Sequence, residues 1–414
     1  MKKWTVILSL SLLTACGNQA VPGAAPQTTN YAEQKAAFAA QQPEAPAPGA
    51  SLESGVRVER ADGQLTTMSN SLPGSISAQS IDKSVPIVLV HGLGGWGEGE
   101  FLGMKYWGGF RDVVADLRSQ GYTVYNVSVG PVSSNWDRAA EVYTQIKGGC
   151  VDYGQAHSSA AGHARTDATK CHPGFYPQWD SEHPVNLIGH SMGAPTARML
   201  VALLEKGSPE NADGDNLFVG GRTGWVKGVM TISGTNTGSP AADQLQSAIP
   251  FLKDLILGVA ALAGTPDKNT FYDLDMGQWG LRRRADESFQ AYLDRVFSPT
   301  SPLWKSNDQA AFDLSPEGAD AVNRWMGRSE HTRYFSWATA DTYTGLISGW
   351  QYPRPTMNPL MQVASYPYPW PLPNGLGNLK GRSPNRLFTY GPDWWQNDGL
   401  VPVKVQHAPW AKPA

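Results

Sequence analysis

Charge of one sign is what this chain lacks most plainly. Its 33 basic and 36 acidic residues leave a net charge of -3, which gives no reason to expect nucleic acid as a partner. Cysteine is scarce, with three residues at positions 16, 150 and 171. Long hydrophobic runs are missing as well. Trp4 to Leu13 is ten residues, and Ala248 to Ala263 is interrupted by Lys253 and Asp254, so neither is long and apolar enough to span a bilayer. No internal repeat stands out, and no obligate protein partner is evident. What remains is a chain of 414 residues, 41% hydrophobic and 17% charged, able to bury a sizeable core in one large domain with extensions.

The N-terminus reads as an export signal. Lys2 and Lys3 precede the short apolar stretch, and Leu13-Thr14-Ala15-Cys16 follows it, so residues 1–15 form a candidate secretory signal peptide. The tetrad resembles the lipobox of bacterial lipoproteins, in which the cysteine is lipidated, so Cys16 is a candidate membrane anchor. Residues 16–80 are rich in Ala, Pro, Gln, Gly and Ser and read as a flexible tether. The expected location is the cell surface or outer membrane as a lipoprotein, or the medium as a secreted protein. In an oxidising compartment Cys150 and Cys171 are expected to pair as a disulfide.

From Val85 onward, strand-like runs alternate with helical patterns: 87–90, 110–120, 122–127, 136–147, 185–188, 195–206 and 226–232, with a late strand at 334–337. Short β-branched runs between helices predict an α/β fold with a mostly parallel sheet covered on both faces. The apolar segment 248–263 reads either as a core helix or as a lid.

Within that frame, Gly189-His190-Ser191-Met192-Gly193 lies between a strand and a helix. A G-x-S-x-G turn in that context is a nucleophile elbow; the bland alternative is a Gly-Ser turn capping a helix. Acyl transfer at Ser191 also needs two oxyanion donors. The elbow places one on the Met192 N–H and the other on the glycine-rich loop His91-Gly92-Leu93-Gly94-Gly95, at the Leu93 N–H. The chain order serine, acid, histidine favours Asp398 in Asn397-Asp398-Gly399, with Asp341, Asp273 and Asp275 as alternatives. His407 is the one histidine after Asp398 and the base that this order offers.

These motifs resemble the true lipases of thermophilic bacilli and staphylococci, α/β-hydrolases that cleave triacylglycerols. The resemblance runs from Val85 to the end. It rests on Lys105-Tyr106-Trp107-Gly108-Gly109, Ser133-Ser134-Asn135-Trp136-Asp137-Arg138-Ala139, Val151-Asp152-Tyr153-Gly154, Gly162-His163-Ala164-Arg165, Gln278-Trp279-Gly280-Leu281, Asp313-Leu314-Ser315 and Asn397-Asp398-Gly399. It implies Ser191 as nucleophile, Asp398 as triad acid, Leu93 and Met192 as oxyanion donors, and a lipid ester at an interface as substrate. A short-chain, phospholipid or polyester esterase is the alternative.

The resemblance also implies a structural zinc site at Asp137, His157 and His163. Gly277 stands where the fourth ligand is expected, and Asp275 is the candidate replacement. Read without the family, those histidines are loop residues, or partners of Cys150 and Cys171 in a Cys-His-His-Cys set. A calcium site is implied at the Thr356 carbonyl. By the same match His407 is not the family's base. The triad histidine, the calcium carboxylates and the last elements are expected beyond Ala414, as in a truncated lipase. A chain ending there would be a surface-anchored lipid-binding protein without turnover.

Overall fold

The computed structural model describes residues 57–59, 65–67, 83–100, 104–109, 111–208, 216–242, 253, 256–257, 272–367, 375–384 and 386–407. The signal peptide and Cys16 lie outside the described residues. Within the stretch read as tether, β1 (Arg57–Glu59) and β2 (Leu65–Thr67) pair antiparallel. Strands of three residues are too short to leave an alternation in the sequence.

The elements that build the domain then follow in order: β3 (Ile87–Val90), α1 (Val113–Ser119), β4 (Val124–Asn126), α2 (Asn135–Lys147), β5 (Gly149–Asp152), α3 (Gln155–Ala161) and β6 (Thr166–His172). After them come β7 (Val185–His190), α4 (Gly193–Lys206), β8 (Val226–Ile232), α5 (Phe289–Val296), α6 (Ala310–Leu314), α7 (Pro316–Met326) and β9 (Arg333–Trp337). The C-terminal part adds β10 (Thr342–Thr344), β11 (Gln351–Pro353), α8 (Pro359–Ser365), β12 (Gly381–Arg382), β13 (Thr389–Tyr390) and α9 (Val403–Gln406).

Five strands form one parallel sheet in the order β4-β3-β7-β8-β9. Its strands are the apolar runs the sequence marked, and both faces are covered. On one face Val88, Val90, Leu187 and Val229 pack with Ala139 and Ile146 of α2 and Leu200 and Leu203 of α4. On the other, Leu89 and Val124 meet Val114 of α1. Twelve of the fourteen residues of α4 are buried, so the helix that starts at the elbow is fixed in the core rather than resting on it. Burying each Leu contributes about 1.5–3 kcal/mol. Helix α2 begins where Ser134 accepts from the Asp137 N–H (3.2 Å) and ends at Gly148, whose φ of 98° an L side chain rarely adopts.

The antiparallel pairing of β5 and β6 sets Cys150 opposite Cys171, and the two form a disulfide. The cysteines are therefore not metal ligands. By the chain-entropy estimate such a closure stabilises by roughly 3 kcal/mol.

A second cluster, with Leu376, Leu379, Tyr390, Trp394, Val401 and Val405, surrounds the loop that carries Asp398. Of the segment 248–263, the described residues are Lys253, Ile256 and Leu257, all helical, with Ile256 buried. The rest of the candidate lid lies outside the described residues.

Candidate active site

Ser191 stands at the turn from β7 into α4 with φ +53°, a region few non-glycine residues enter. The surroundings fix that backbone: the Ser191 N–H donates to the Ile232 carbonyl (2.9 Å), and its own carbonyl accepts from Ala194 (3.1 Å) and Thr235 (3.3 Å). Strain held by such over-determination is typical of functional turns. The glycines on either side are required by contact. A Cβ on Gly189 would lie 2.2 Å from the Gly193 carbonyl oxygen, and one on Gly193 would lie 2.1 Å from that of Val90. Strand β7, helix α4 and strand β3 thus meet backbone to backbone beneath the serine.

The loop after β3 lies beside it. A Cβ on Gly92 would sit 2.7 Å from Ser191 Cβ, so glycine is what lets this loop approach. Among the described residues, the Leu93 and Met192 N–H groups donate to no protein acceptor. Met192 caps the N-terminus of α4, where backbone N–H groups favour negative charge.

The loop is braced from beneath by a residue that the sequence reading did not single out. Arg138, fully buried in α2, donates to the His91 carbonyl, to the Gly130 carbonyl (2.9 Å) and to Thr196 Oγ1 (3.0 Å). Gly94 N–H donates to the Pro131 carbonyl (2.9 Å), and Val129 N–H to His91 Nε2 (3.1 Å). Burial, with Arg138 beside it, lowers the His91 pKa to about 3, so this imidazole is neutral scaffolding. Tyr106 Oη accepts from Gly92 N–H (2.8 Å) and lies 2.5 Å from His190 Nδ1. Burial holds His190 neutral, with a pKa of about 4. Arg138→Met keeps bulk but leaves the buried His91 and Gly130 carbonyls without their donor, so Tm should fall, and any ester turnover should fall by about 10²–10³-fold as the loop shifts. Calorimetry and steady-state kinetics on the two proteins would check both.

Ser191 opens into a cavity of about 470 Å³ lined by Leu93, Trp96, Ile256, Leu314, Met361, Leu400 and Val401, and by Asp398. Most of this wall is hydrocarbon. Asp398 Oδ1 accepts from the Leu400 (3.2 Å) and Val401 (2.9 Å) N–H groups, and Oδ2 from Thr339 Oγ1 (3.2 Å) and Gln406 Nε2 (3.3 Å). Burial raises its pKa, and these donors pull against that. The neighbouring Asn397, fully buried, accepts from Ser365 Oγ (2.8 Å) and the Gly399 N–H (2.8 Å), which pins the loop.

The rival acids are engaged elsewhere. Asp341 accepts from Thr356 Oγ1 (3.2 Å), Asp273 accepts from Tyr292 Oη (2.6 Å), and neither lines the cavity. His407 follows α9, is exposed, and is not among the cavity's lining residues. The structure therefore brings Ser191, Asp398 and Leu93 to one cavity, with Met192 directly behind the serine, and does not bring His407 there.

Around Asp137 of α2 a second constellation forms. Asp137, His157, His163 and Asp308 each offer one ligand atom, all within 4.8 Å of one another. His157 Nε2 is 3.2 Å from both Asp137 Oδ1 and Asp308 Oδ1, and His163 Nε2 is 3.0 Å from Asp308 Oδ2 and 3.7 Å from Asp137 Oδ1. Ligands about 2.0–2.1 Å from a tetrahedral metal lie roughly 3.3 Å apart, so these spacings fit a zinc-sized ion. The outer contacts fit too: His163 Nδ1 meets the Ala164 carbonyl (2.8 Å), Gln278 Nε2 donates to Asp137 Oδ2 (3.0 Å), and Trp136 stacks on His157 at 4.8 Å. In the metal-free cluster, burial opposes a charged His157, and the Asp137 and Asp308 hydrogen bonds outweigh it, raising its pKa to about 10.

The fourth member is Asp308, not Asp275. Position 277 is a glycine with no side chain to offer, and Asp308 completes the set with Asp137, His157 and His163. Asp275 itself is turned away at φ +53°, with its carbonyl accepting from Lys170 Nζ (2.7 Å). No spacing rule tied Asp308 to histidines some 145 residues earlier, and the chain crosses back only in three dimensions.

A parallel sheet with a strained serine at the strand-to-helix turn, sharing an apolar cavity with a half-buried acid, defines an α/β-hydrolase. Residues 83–413 match the family described as "Lipase-like, C-terminal domain", and the chain belongs to that family. It is 33% identical over 329 residues to Lipase 1 of Staphylococcus aureus, covering 77% of this chain and 45% of that protein. It thus spans less than half the length of that relative. Among solved structures, EstA from Clostridium botulinum is 36% identical with a TM-score of 0.70, covering 79% of this chain and 75% of its own. Lipase 1 from Pelosinus fermentans is 39% identical with a TM-score of 0.68, covering 79% and 84%. Staphylococcus hyicus lipase is 28% identical with a TM-score of 0.62, covering 79% and 80%.

Proposed function

We propose that this protein hydrolyses carboxylic esters of fatty acids, in the manner of a triacylglycerol lipase. The observation that carries the reading is Ser191, held at positive φ in an apolar cavity that Asp398 also lines. Ser191 Oγ attacks the ester carbonyl, and the Leu93 and Met192 N–H groups receive the oxyanion. The mechanism calls for a histidine that takes the serine proton and returns it to the leaving alcohol; among the described residues the groups bonded to the Asp398 carboxylate are the Leu400 and Val401 N–H, Thr339 and Gln406, with no histidine among them. We do not assign that base to His407, which is exposed outside the cavity lining. Water then frees the acid. Ile256 and the apolar wall offer the acyl chain its contact surface, in keeping with a lid role for 248–263.

Asp137, His157, His163 and Asp308 would hold Zn²⁺, which when bound cross-links α2 to the 308 loop. The Thr356 carbonyl would supply one ligand to a calcium ion, as the resemblance implies. Export is supported by the Cys150–Cys171 disulfide, and acylation of Cys16 would tether the enzyme to a membrane. The test is turnover of a graded series of esters below and above their solubility limits. A rise on forming an emulsion supports the lipase; a preference for dissolved short esters supports the esterase. Hydrolysis of no ester overturns both.

A further inference from the structure

The hairpin β10–β11 ends in the most exposed aliphatic pair of the described residues. Leu346 and Ile347 have relative exposures of 104% and 103%, as free as in an extended chain. Two large side chains so placed stand out from the surface and cannot share cover with neighbours. The hairpin that carries them is well formed: Gly345 N–H donates to the Trp350 carbonyl (2.8 Å), Gly349 N–H to the Gly345 carbonyl (2.9 Å), and the Tyr343 and Tyr352 rings stack at 5.9 Å behind the tip. Residues 342–353 include no charged side chain, in a chain where charged residues make up 17%.

The hairpin's root joins the active-site wall. Asp341 N–H donates to the Asn397 carbonyl (3.0 Å), and Asn397 N–H to Thr342 Oγ1 (3.4 Å), one residue from Asp398.

We propose that the Leu346–Ile347 tip is an interfacial anchor that enters a lipid surface and seats the Ser191 cavity against it. Three features select lipid over a protein partner. The tip is convex and wholly aliphatic, its neck carries tyrosines and a tryptophan of the kind that settle at headgroup depth, and no charge must be desolvated. The bonded hairpin also presents both side chains without first being ordered on contact. The proposal rests on the ester-hydrolase reading only for its purpose, since the contact itself is with lipid.

The test uses the full chain carrying Cys16→Ala, so that no acyl group holds it to membrane, in flotation with phosphatidylcholine vesicles. Leu346→Ser/Ile347→Ser is expected to lower partitioning by about 100-fold and to be insensitive to salt. Turnover of emulsified triacylglycerol should fall with it, while kcat/KM for a dissolved short ester stays within about twofold and Tm is unchanged. Ile347→Cys bearing an environment-sensitive dye should shift to the blue on vesicle addition. Equal partitioning of the double variant and its parent overturns the proposal, as does a dye that stays in water. A concentration-dependent dimer lost in the double variant overturns it too, by seating a second copy on the tip. Flotation through the tip by a protein that cleaves no ester would sink the hydrolase reading and leave the anchor standing.

Discussion

Where a triad histidine serves the serine, Ser191→Ala is expected to lower ester turnover by on the order of 10⁶-fold while leaving the fold and its Tm almost unchanged. The size follows from the arrangement. Removing the nucleophile leaves the oxyanion N–H groups, the apolar cavity and Asp398 in place, so only their residual contribution survives. Alanine is also close in shape, although it inherits a backbone at φ +53° that costs roughly 1–3 kcal/mol in any residue with a Cβ. That strain is already present with serine, so stability should change little. A loss of less than about tenfold would mean that ester cleavage, if seen, occurs elsewhere.

Asp308→Ala is expected to lose bound zinc and to lower Tm by about 10 °C, the scale set by removing one partner from a buried charged cluster. Asp137 is fully buried and bonded by Gln278, and Asp308 is almost fully buried. Without the ion, burial and the facing Asp308 carboxylate push Asp137 upward, whereas the two imidazoles outweigh burial at Asp308 and hold it low. An ion bound by all four relieves this crowding, and chelation should therefore reproduce most of the loss in the parent protein. Zinc affinity should fall by more than the roughly 10–100-fold that loss of an outer partner costs. Calorimetry and metal analysis on both proteins, with Asp275→Ala as the control that should keep its zinc, check the assignment. Equal zinc content in the parent and Asp308→Ala would overturn it.

Much of this was legible before any coordinates. The β-branched runs at 87–90, 185–188 and 226–232 became parallel neighbours, because a strand buried on both faces must be apolar along its whole length. The Ser191 elbow, the Gly92-Leu93 loop and Asp398 were marked by local signals: glycines that backbone contact demands, and an Asn-Asp-Gly turn. What stayed hidden depends on long-range closure. Arg138 sits one residue from a suspected ligand, yet only the packed structure turns Asp137 to the Asp/His cluster and Arg138 to the loop after β3. Asp308 lies in a loop with no spacing to betray it. His407 was the single histidine that chain order offered, and short helix α9 spends its buried residues Val405 and Gln406 on the core, leaving His407 outside.

An activated nucleophile at Ser191 would react with a fluorophosphonate, and peptide mass mapping of the treated protein locates the adduct. A single adduct is expected on the peptide carrying Ser191, absent from Ser191→Ala. An unmodified Ser191 in folded protein, or an adduct that persists in the variant, would contradict it.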